Sequence, residues 1–425
     1  MSVSVVHPLP KVAVGRHLSS ESVNLETYRS WVGDALTDEI RKLSKELQGV
    51  RICNVNATAT GGGVAELLSR VIPVHLALGI STEWRLIYGD KDFFAITKSF
   101  HNALQGAKLR LTEETKRTYL EHNRQSAEML PDDYDVFIVH DPQPSAIRHF
   151  KNSASRRKWI WRCHIDSSAP NREVWEFLHP YVQEYDAAVF TMKAFQPADL
   201  ELSRIVFIPP AIDPVSTKNM ELPAEVCHRA IGEMGVDLHR PLLAQISRFD
   251  PWKDPLGVIR AYRIVKKARP EIQLAMLGAM AGDDPEAWGI LDQINAEAAD
   301  DPDLYVFTNL TGIGSMEVNA FQRAADVVLQ KSLREGFGLV VAEAFWKSRP
   351  VVAGHAGGIP MQFPPGYDDY LVESVEDCAA KVLHLLDHRD VAENFGRAGQ
   401  DKIRAEFLLP RLIRDELRLI KDVLR

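Results

Sequence analysis

The sequence predicts an α/β protein built from two doubly wound parallel sheets, and three observations carry that reading. Short apolar runs alternate with stretches of helical period along nearly the whole chain. The rhythm pauses once, at Pro209-Pro210-Ala211-Ile212-Asp213-Pro214, and then restarts. A length of 425 residues also exceeds what one ordinary core serves, so two domains are expected. Strands joined through helices argue for parallel sheets covered on both faces, here with a cleft between the two domains.

Taken in order, an amino-terminal extension, residues 1–49, carries a helix over Leu36 to Leu47. Arg51 to Ala57 reads as a buried strand, and Gly61-Gly62-Gly63 opens a helix through Val64, Leu67, Leu68 and Val71. Strands follow at Thr82 to Tyr88, Tyr134 to His140, Trp159 to His164, Ala187 to Thr191 and Ile205 to Ile208. Between them, Asp92 to Leu104 and Glu173 to Tyr185 have helical spacing. After the proline-rich stretch come strands at Leu242 to Ile246, Gln273 to Leu277, Leu304 to Thr308, Val327 to Gln330 and Pro350 to Ala353. Helices are expected from Pro255 to Ala268, up to about Ala325, and through Val340 to Trp346, and the end from Asp377 is almost wholly helical. The expected domains are residues 1–212 and 213–395, with 396–425 a helical segment packing back across both.

Composition narrows the function. A formal charge of −8 disfavours nucleic acid and a polybasic membrane anchor, so an anionic ligand must meet a few local cations. No apolar run reaches the roughly 20 residues that a membrane helix needs, and the first fifteen residues lack the apolar length of a signal peptide. Cys53, Cys163, Cys227 and Cys378 are scattered, form no C-x-x-C pair and read as reduced core thiols. Those features point to the cytoplasm and away from structural zinc.

Four stretches hold groups suited to chemistry. In Lys331-Ser-Leu-Arg-Glu-Gly-Phe-Gly-Leu-Val-Val-Ala-Glu-Ala344 a strand runs through a glycine-bearing turn into a helix. Gly336 and Gly338 let the backbone approach a ligand, and the helix start offers free N–H groups to an anion such as phosphate. Glu335 and Glu343 lie eight residues apart, about 12 Å along a helix. That is beyond the roughly 5–10 Å of a glycosidase carboxylate pair. It suits two hydroxyl-rich groups on either side of a diphosphate, although acids near a helix start are common for electrostatic reasons alone. In Ser247-Arg-Phe-Asp-Pro-Trp-Lys253, Arg248 and Lys253 follow a buried strand and could converge on a diphosphate leaving group. Isolated loop cations are more often simply solvated.

The other two stretches are less specific. Arg162-Cys-His-Ile-Asp-Ser-Ser168 places His164 at a strand end, and His140 and Asp141 end another strand. Either group could contact a substrate, or serve only the fold. Gly61-Gly62-Gly63 and Gly354-His-Ala-Gly-Gly-Ile359 both lack the dinucleotide fingerprint and fit loops pressed against a polar ligand, or plain tight turns.

Together these stretches resemble the retaining GT-B glycosyltransferases, glycosyltransferase family 4. Glu335-Gly-Phe-Gly-Leu-Val-Val-Ala-Glu343 matches that group's E-x7-E motif, and Ser247-Arg-Phe-Asp-Pro-Trp-Lys253 matches its Arg…Lys diphosphate clamp. Trp161-Arg-Cys-His-Ile-Asp-Ser-Ser168 and Val139-His-Asp-Pro-Gln-Pro144 are similar to the trehalose glycosyl-transferring synthases. The resemblance implies an acceptor-side first domain and a nucleotide-sugar-binding second domain. It implies Arg248 and Lys253 on the diphosphate with the amides of Gly336, Phe337, Gly338 and Leu339. Glu335 would meet the donor glucose and Glu343 the ribose, with His164 close to the reacting sugar.

By the same resemblance Gly61, Gly62 and Gly63 would close over donor or acceptor, and Gly357 and Gly358 would line the donor side. The base would rest near Leu277-Gly278 and Asn309-Leu310. The implied reaction moves glucose from UDP- or ADP-glucose to free glucose, giving trehalose by front-face displacement. No resident metal or cofactor is required, since Arg248, Lys253 and the helix terminus supply positive field; Mg2+ enters at most as a stimulant. The partners are then nucleotide sugar and glucose or trehalose, without nucleic acid or membrane, and a homodimer is left open. A trehalose phosphorylase, a sucrose or glucan synthase, and a non-catalytic nucleotide-sugar sensor stand as alternatives.

Overall fold

The computed structural model describes residues 7–14, 24–60, 62–151, 156–280 and 285–425. Gly61, the first of the three expected loop glycines, lies outside the described residues. The chain divides into two compact units: 1–210 with 409–425, and 211–408.

The first unit begins with α1 (Leu25–Glu46), a helix kinked at Gly33, and then alternates. Its elements are β1 (Arg51–Asn56), α2 (Gly63–Ala77), β2 (Ser81–Leu86), α3 (Lys91–Leu104), α4 (Glu113–Met129), β3 (Val136–His140), β4 (Lys158–Arg162), α5 (Arg172–Val182), β5 (Ala187–Phe190) and β6 (Ile205–Phe207). All six strands are parallel, in the order β2-β1-β3-β4-β5-β6. Strand β3 is buried throughout as Val-Phe-Ile-Val-His, the continuous apolar run of a strand covered on both faces. From it, Phe137 stacks on its cross-strand neighbour Trp159 in β4, with ring centroids 4.2 Å apart.

The second unit holds α6 (Ala224–Gly232), β7 (Leu242–Ser247), α7 (Pro255–Ala268), β8 (Gln273–Gly278), α8 (Pro285–Ala298), β9 (Leu304–Thr308), α9 (Ser315–Ala324), β10 (Val327–Gln330), α10 (Leu339–Trp346), β11 (Val351–Gly354), β12 (Leu371–Val372), α11 (Val375–Asp387) and α12 (Arg389–Glu406). Its strands are again parallel, in the order β12-β11-β10-β7-β8-β9. Counted within the unit this is 6-5-4-1-2-3, the order of dinucleotide-binding sheets, with its reversal between β7 and β10.

The last helix, α13 (Leu409–Leu424), returns to the first unit. Its buried residues include Leu412, Ile413, Leu417 and Ile420, one face at helical spacing. Arg411 donates to the carbonyls of Pro209 and Pro210 at 2.9 Å each. Arg162 meets Glu416 in the interior, and Arg418 reaches Glu39 of α1 at 2.6 Å. The amino-terminal segment packs within this unit too: Val12 donates to the Trp84 carbonyl at 2.9 Å, and α1 lies along α13.

Helix α12 runs unbroken through 395/396, where the sequence suggested a boundary. Helices α4, α6 and α8 were not foreseen. For α4 the reason is physical: its buried positions are Tyr119, Asn123, Ser126 and Ala127, mostly polar or small, so apolar periodicity does not reveal it. Among the described residues no helix is long and apolar enough to cross a membrane, and all four cysteines are free and buried.

Candidate active site

Open α/β sheets bind ligands outside the carboxyl ends of their strands, at the point where strand order reverses. In the second unit that point lies between β7 and β10. The loop after β7 carries Arg248 and Lys253, and the loop after β10 carries Glu335. Lys253 Nζ lies 2.7 Å from Glu335 Oε2, with the two side chains 16% and 12% exposed. The same carboxylate oxygen is 3.3 Å from Ser332 Oγ and 3.4 Å from Gln330 Nε2, so three donors gather on it.

A second ion pair ties the two loops together. Lys331 Nζ lies 2.5 Å from Asp254 Oδ2, and Asp254 also caps α7 by accepting from the Gly257 amide at 3.1 Å. Asp254 holds a left-handed φ of 45° to do so. Arg248 is the most exposed of these cations, its side chain 58% accessible and 3.4 Å from Asp250.

The turn into α10 is built for close backbone contact. Gly338 sits at φ 81°, where a Cβ would be strained, and is the N-cap of the helix. Gln362 Nε2 donates to the Phe337 carbonyl at 2.5 Å and lies 3.3 Å from that of Gly338. The carbonyls are therefore held back, while the amides of Gly336, Phe337 and Gly338 donate to no protein acceptor among the described residues. Leu339 is the first helical residue, so its amide has no intrahelical partner either. Such a terminus favours an anion. Gly358, beside Gly357, donates its amide to the Gly336 carbonyl at 3.2 Å, which brings the loop after β11 against this turn. Gly354 is needed at that junction, since a Cβ there would stand 2.0 Å from the Ser332 carbonyl oxygen.

Glu343 lies inside α10 and is 2% exposed. Gln322 donates to one of its oxygens at 3.1 Å, and Lys218 Nζ is 3.4 Å from the other. Next to it, burial lowers the Lys347 ammonium to about 7, and its Nζ is 2.9 Å from Asn219 Oδ1. Asn309, after β9, accepts from the Met280 amide at 2.7 Å and donates to its carbonyl at 3.0 Å, while Leu310 is 61% exposed.

In the first unit, the ends of β3 and β4 bring His140, Asp141 and His164 together. His140 Nδ1 is 2.9 Å from His164 Nε2, and the rings stack at 5.2 Å. His140 Nε2 is 3.0 Å from Asn54 Oδ1. His140 is thus a buried support with both ring nitrogens engaged, where the sequence allowed an open substrate contact. Asp141 Oδ1 accepts from the His164 amide at 2.8 Å, and Asp141 adopts φ 63°. Burial pushes its carboxyl up to about 7, against the pull of the His164 amide and Arg162. Burial, helped by Arg162, holds both imidazoles well below the ordinary histidine range. Gly62 and Gly63 begin α2, exposed, with open space where a Cβ would sit.

Sequence reasoning passed over Asn54, Gln330, Ser332, Lys331 with Asp254, and Gln362. A signal existed for two of them: Asn54 and Gln330 are polar residues in buried strands, Asn54 between Cys53 and Val55 and Gln330 after three apolar residues. Gln362 lies far along the chain from the carbonyls it holds, so nothing local marks it.

Two family models match, "Trehalose synthase, N-terminal domain" over residues 54–197 and "Glycosyl transferases group 1" over 232–402. The chain is 48% identical over 404 residues to trehalose synthase of Rubrobacter xylanophilus, covering 94% of this chain and 97% of that protein. It is 30% identical over 414 residues to trehalose phosphorylase of Pleurotus pulmonarius, covering 86% of this chain and 56% of that one. In fold it is similar to the UDP-forming alpha,alpha-trehalose-phosphate synthase of Burkholderia xenovorans, with a TM-score of 0.70 at 15% identity, across 88% of this chain and 99% of that chain. Two Rossmann-like sheets, a cation–carboxylate pair at the reversal of the second, and identity spread over nearly the full length have one reading: the chain belongs to the trehalose synthase family of GT-B glycosyltransferases.

Proposed function

We propose that this enzyme transfers glucose from a nucleotide-diphosphate glucose, UDP- or ADP-glucose, to free glucose with retention of configuration, forming trehalose. The observation that carries the reading is the Lys253–Glu335 pair at 2.7 Å, set beside the free amides that precede α10. One group is a cation suited to a diphosphate, the other a carboxylate suited to sugar hydroxyls, and the amides add positive field between them.

In the proposed reaction the diphosphate leaves with the bonding electrons of the anomeric C–O bond. Its oxygen takes the proton of the acceptor's anomeric hydroxyl, whose oxygen attacks the same face of an oxocarbenium-like centre. Lys253, Arg248 and the amides of Gly336 to Leu339 stabilise the growing phosphate charge without reorganising. Glu335 orients the donor hexose, and Glu343 receives the ribose once Lys218 yields its place. In the first unit, His164 is the group assigned to a sugar hydroxyl. Because the protein supplies the positive field itself, we propose that no metal is required.

The test is incubation of the purified protein with glucose and either nucleotide sugar. Released nucleoside diphosphate and a non-reducing α,α-1,1 disaccharide are expected, and comparison of donors gives the base preference. An inverted anomeric configuration would sink the mechanism. Turnover of trehalose with inorganic phosphate, and none with nucleotide sugars, would replace it with the phosphorylase reading that the 30% identity to that enzyme motivates.

A further inference from the structure

Strand β1 is buried on both faces, yet Asn54 stands in its middle, 3% exposed. A buried amide is costly unless it is used. Its oxygen lies 3.0 Å from His140 Nε2, and an amide oxygen only accepts, so that nitrogen carries the ring proton. With both rings held neutral by burial, each has one donor and one acceptor. His140 Nδ1 therefore accepts, and His164 Nε2, 2.9 Å away, donates to it. The lone pair of His164 is left on Nδ1, which meets no protein donor among the described residues. The ring is also anchored from its backbone, through the 2.8 Å hydrogen bond from the His164 amide to Asp141.

We propose that Asn54 and His140 are positioning residues that set the tautomer of His164, so that His164 Nδ1 accepts the proton of a sugar hydroxyl. The inference rests on the reading above only in placing a sugar at His164. The tautomer itself is a property of the first unit without substrate. Each link has one polarity: reversing the first hydrogen bond reverses all three and turns Nδ1 into a donor. An acceptor there selects for a hydroxyl and against a ligand that offers only lone pairs.

Nitrogen-15 NMR of histidine-labelled full-length protein reads the protonation of each ring nitrogen, with His164 assigned by its loss in His164→Gln. In the wild type, Nε2 protonated and Nδ1 bare are expected. Asn54→Leu, which removes the acceptor, brings Nδ1–H into the spectrum and lowers kcat/KM about tenfold, the size of one hydrogen bond. A protonated Nδ1 in the wild type overturns the proposal, and so does an unchanged His164 tautomer in Asn54→Leu. The wild-type spectrum decides even if the variant fails to fold. Titration with glucose and UDP-glucose separates the two readings: a bare Nδ1 whose resonance does not move on saturation keeps the tautomer relay and removes the sugar from His164.

Discussion

Replacing Lys253 by methionine keeps most of the side chain's length and removes its charge. In the free protein Lys253 Nζ contacts Glu335 at 2.7 Å, and both groups are mostly covered. Glu335 would not be orphaned, because Ser332 Oγ at 3.3 Å and Gln330 Nε2 at 3.4 Å still face the same oxygen. The stability cost is therefore about 1–3 kcal/mol. For a unit spanning Ala211–Leu408 that lowers Tm by roughly 2–4 °C per kcal/mol. The effect on turnover is larger, since removing one preorganised group from a developing oxyanion costs about 100- to 1000-fold in kcat. In Lys253→Met/Glu335→Gln the carboxylate charge that lost its cation, though still hydrogen-bonded, is gone as well, so part of the lost Tm returns while activity stays low. Nucleotide release from UDP- and ADP-glucose, followed beside thermal unfolding, gives both numbers. A Lys253→Met enzyme with more than a third of wild-type kcat/KM would refute the role of the cation, and an unrecovered Tm in the double variant would refute the ion pair.

Three further outcomes are expected. Gly354→Ala puts a methyl 2.0 Å from the Ser332 carbonyl, so the loop bearing Glu335 must move; donor KM should rise at least about tenfold with a lower Tm, and wild-type values for both would show that the junction is not tight. Arg162→Met strands the buried Glu416 and should cost about 3–5 kcal/mol in urea unfolding, most of it recovered in Arg162→Met/Glu416→Leu; a double variant no more stable than the single one argues against the pairing. Folded His164 binds its proton only well below the usual pH, so its contribution is full above the unfolded pKa near 6.5 and falls as pH drops, by about 1.4 kcal/mol per unit. His164→Gln should flatten stability against pH in that window, and parallel profiles would contradict it.

Much of the fold was legible because parallel strands buried on both faces are written as unbroken apolar runs. Val327 to Gln330 and Val136 to His140 are recognisable from four or five residues each. The turn Glu335-Gly-Phe-Gly was legible for a related reason, since glycine before a helix reports a backbone demand that is local to the chain. The identities of Lys253, Glu335 and His164 as candidate groups came from the same local patterns. What local pattern could not supply was partnership. The sequence could place Lys253 and Glu335 on two loops, but the strand order that sets β7 against β10 decides that they meet. His140 looked like a free strand-end histidine until parallel pairing set it between Asn54 and His164. Nothing local assigns Lys331 a partner, and it is the buried tie to Asp254, 77 residues earlier. The last helix was expected to pack back on the domains, but its contacts with Arg162, Pro209 and Pro210 in the first unit are visible only in the tertiary structure. Composition and period act over a few residues and so are fixed by the sequence alone. Hydrogen bonds and ion pairs between distant segments exist only once the sheets have set their order, and they decide which of the candidate groups can work together.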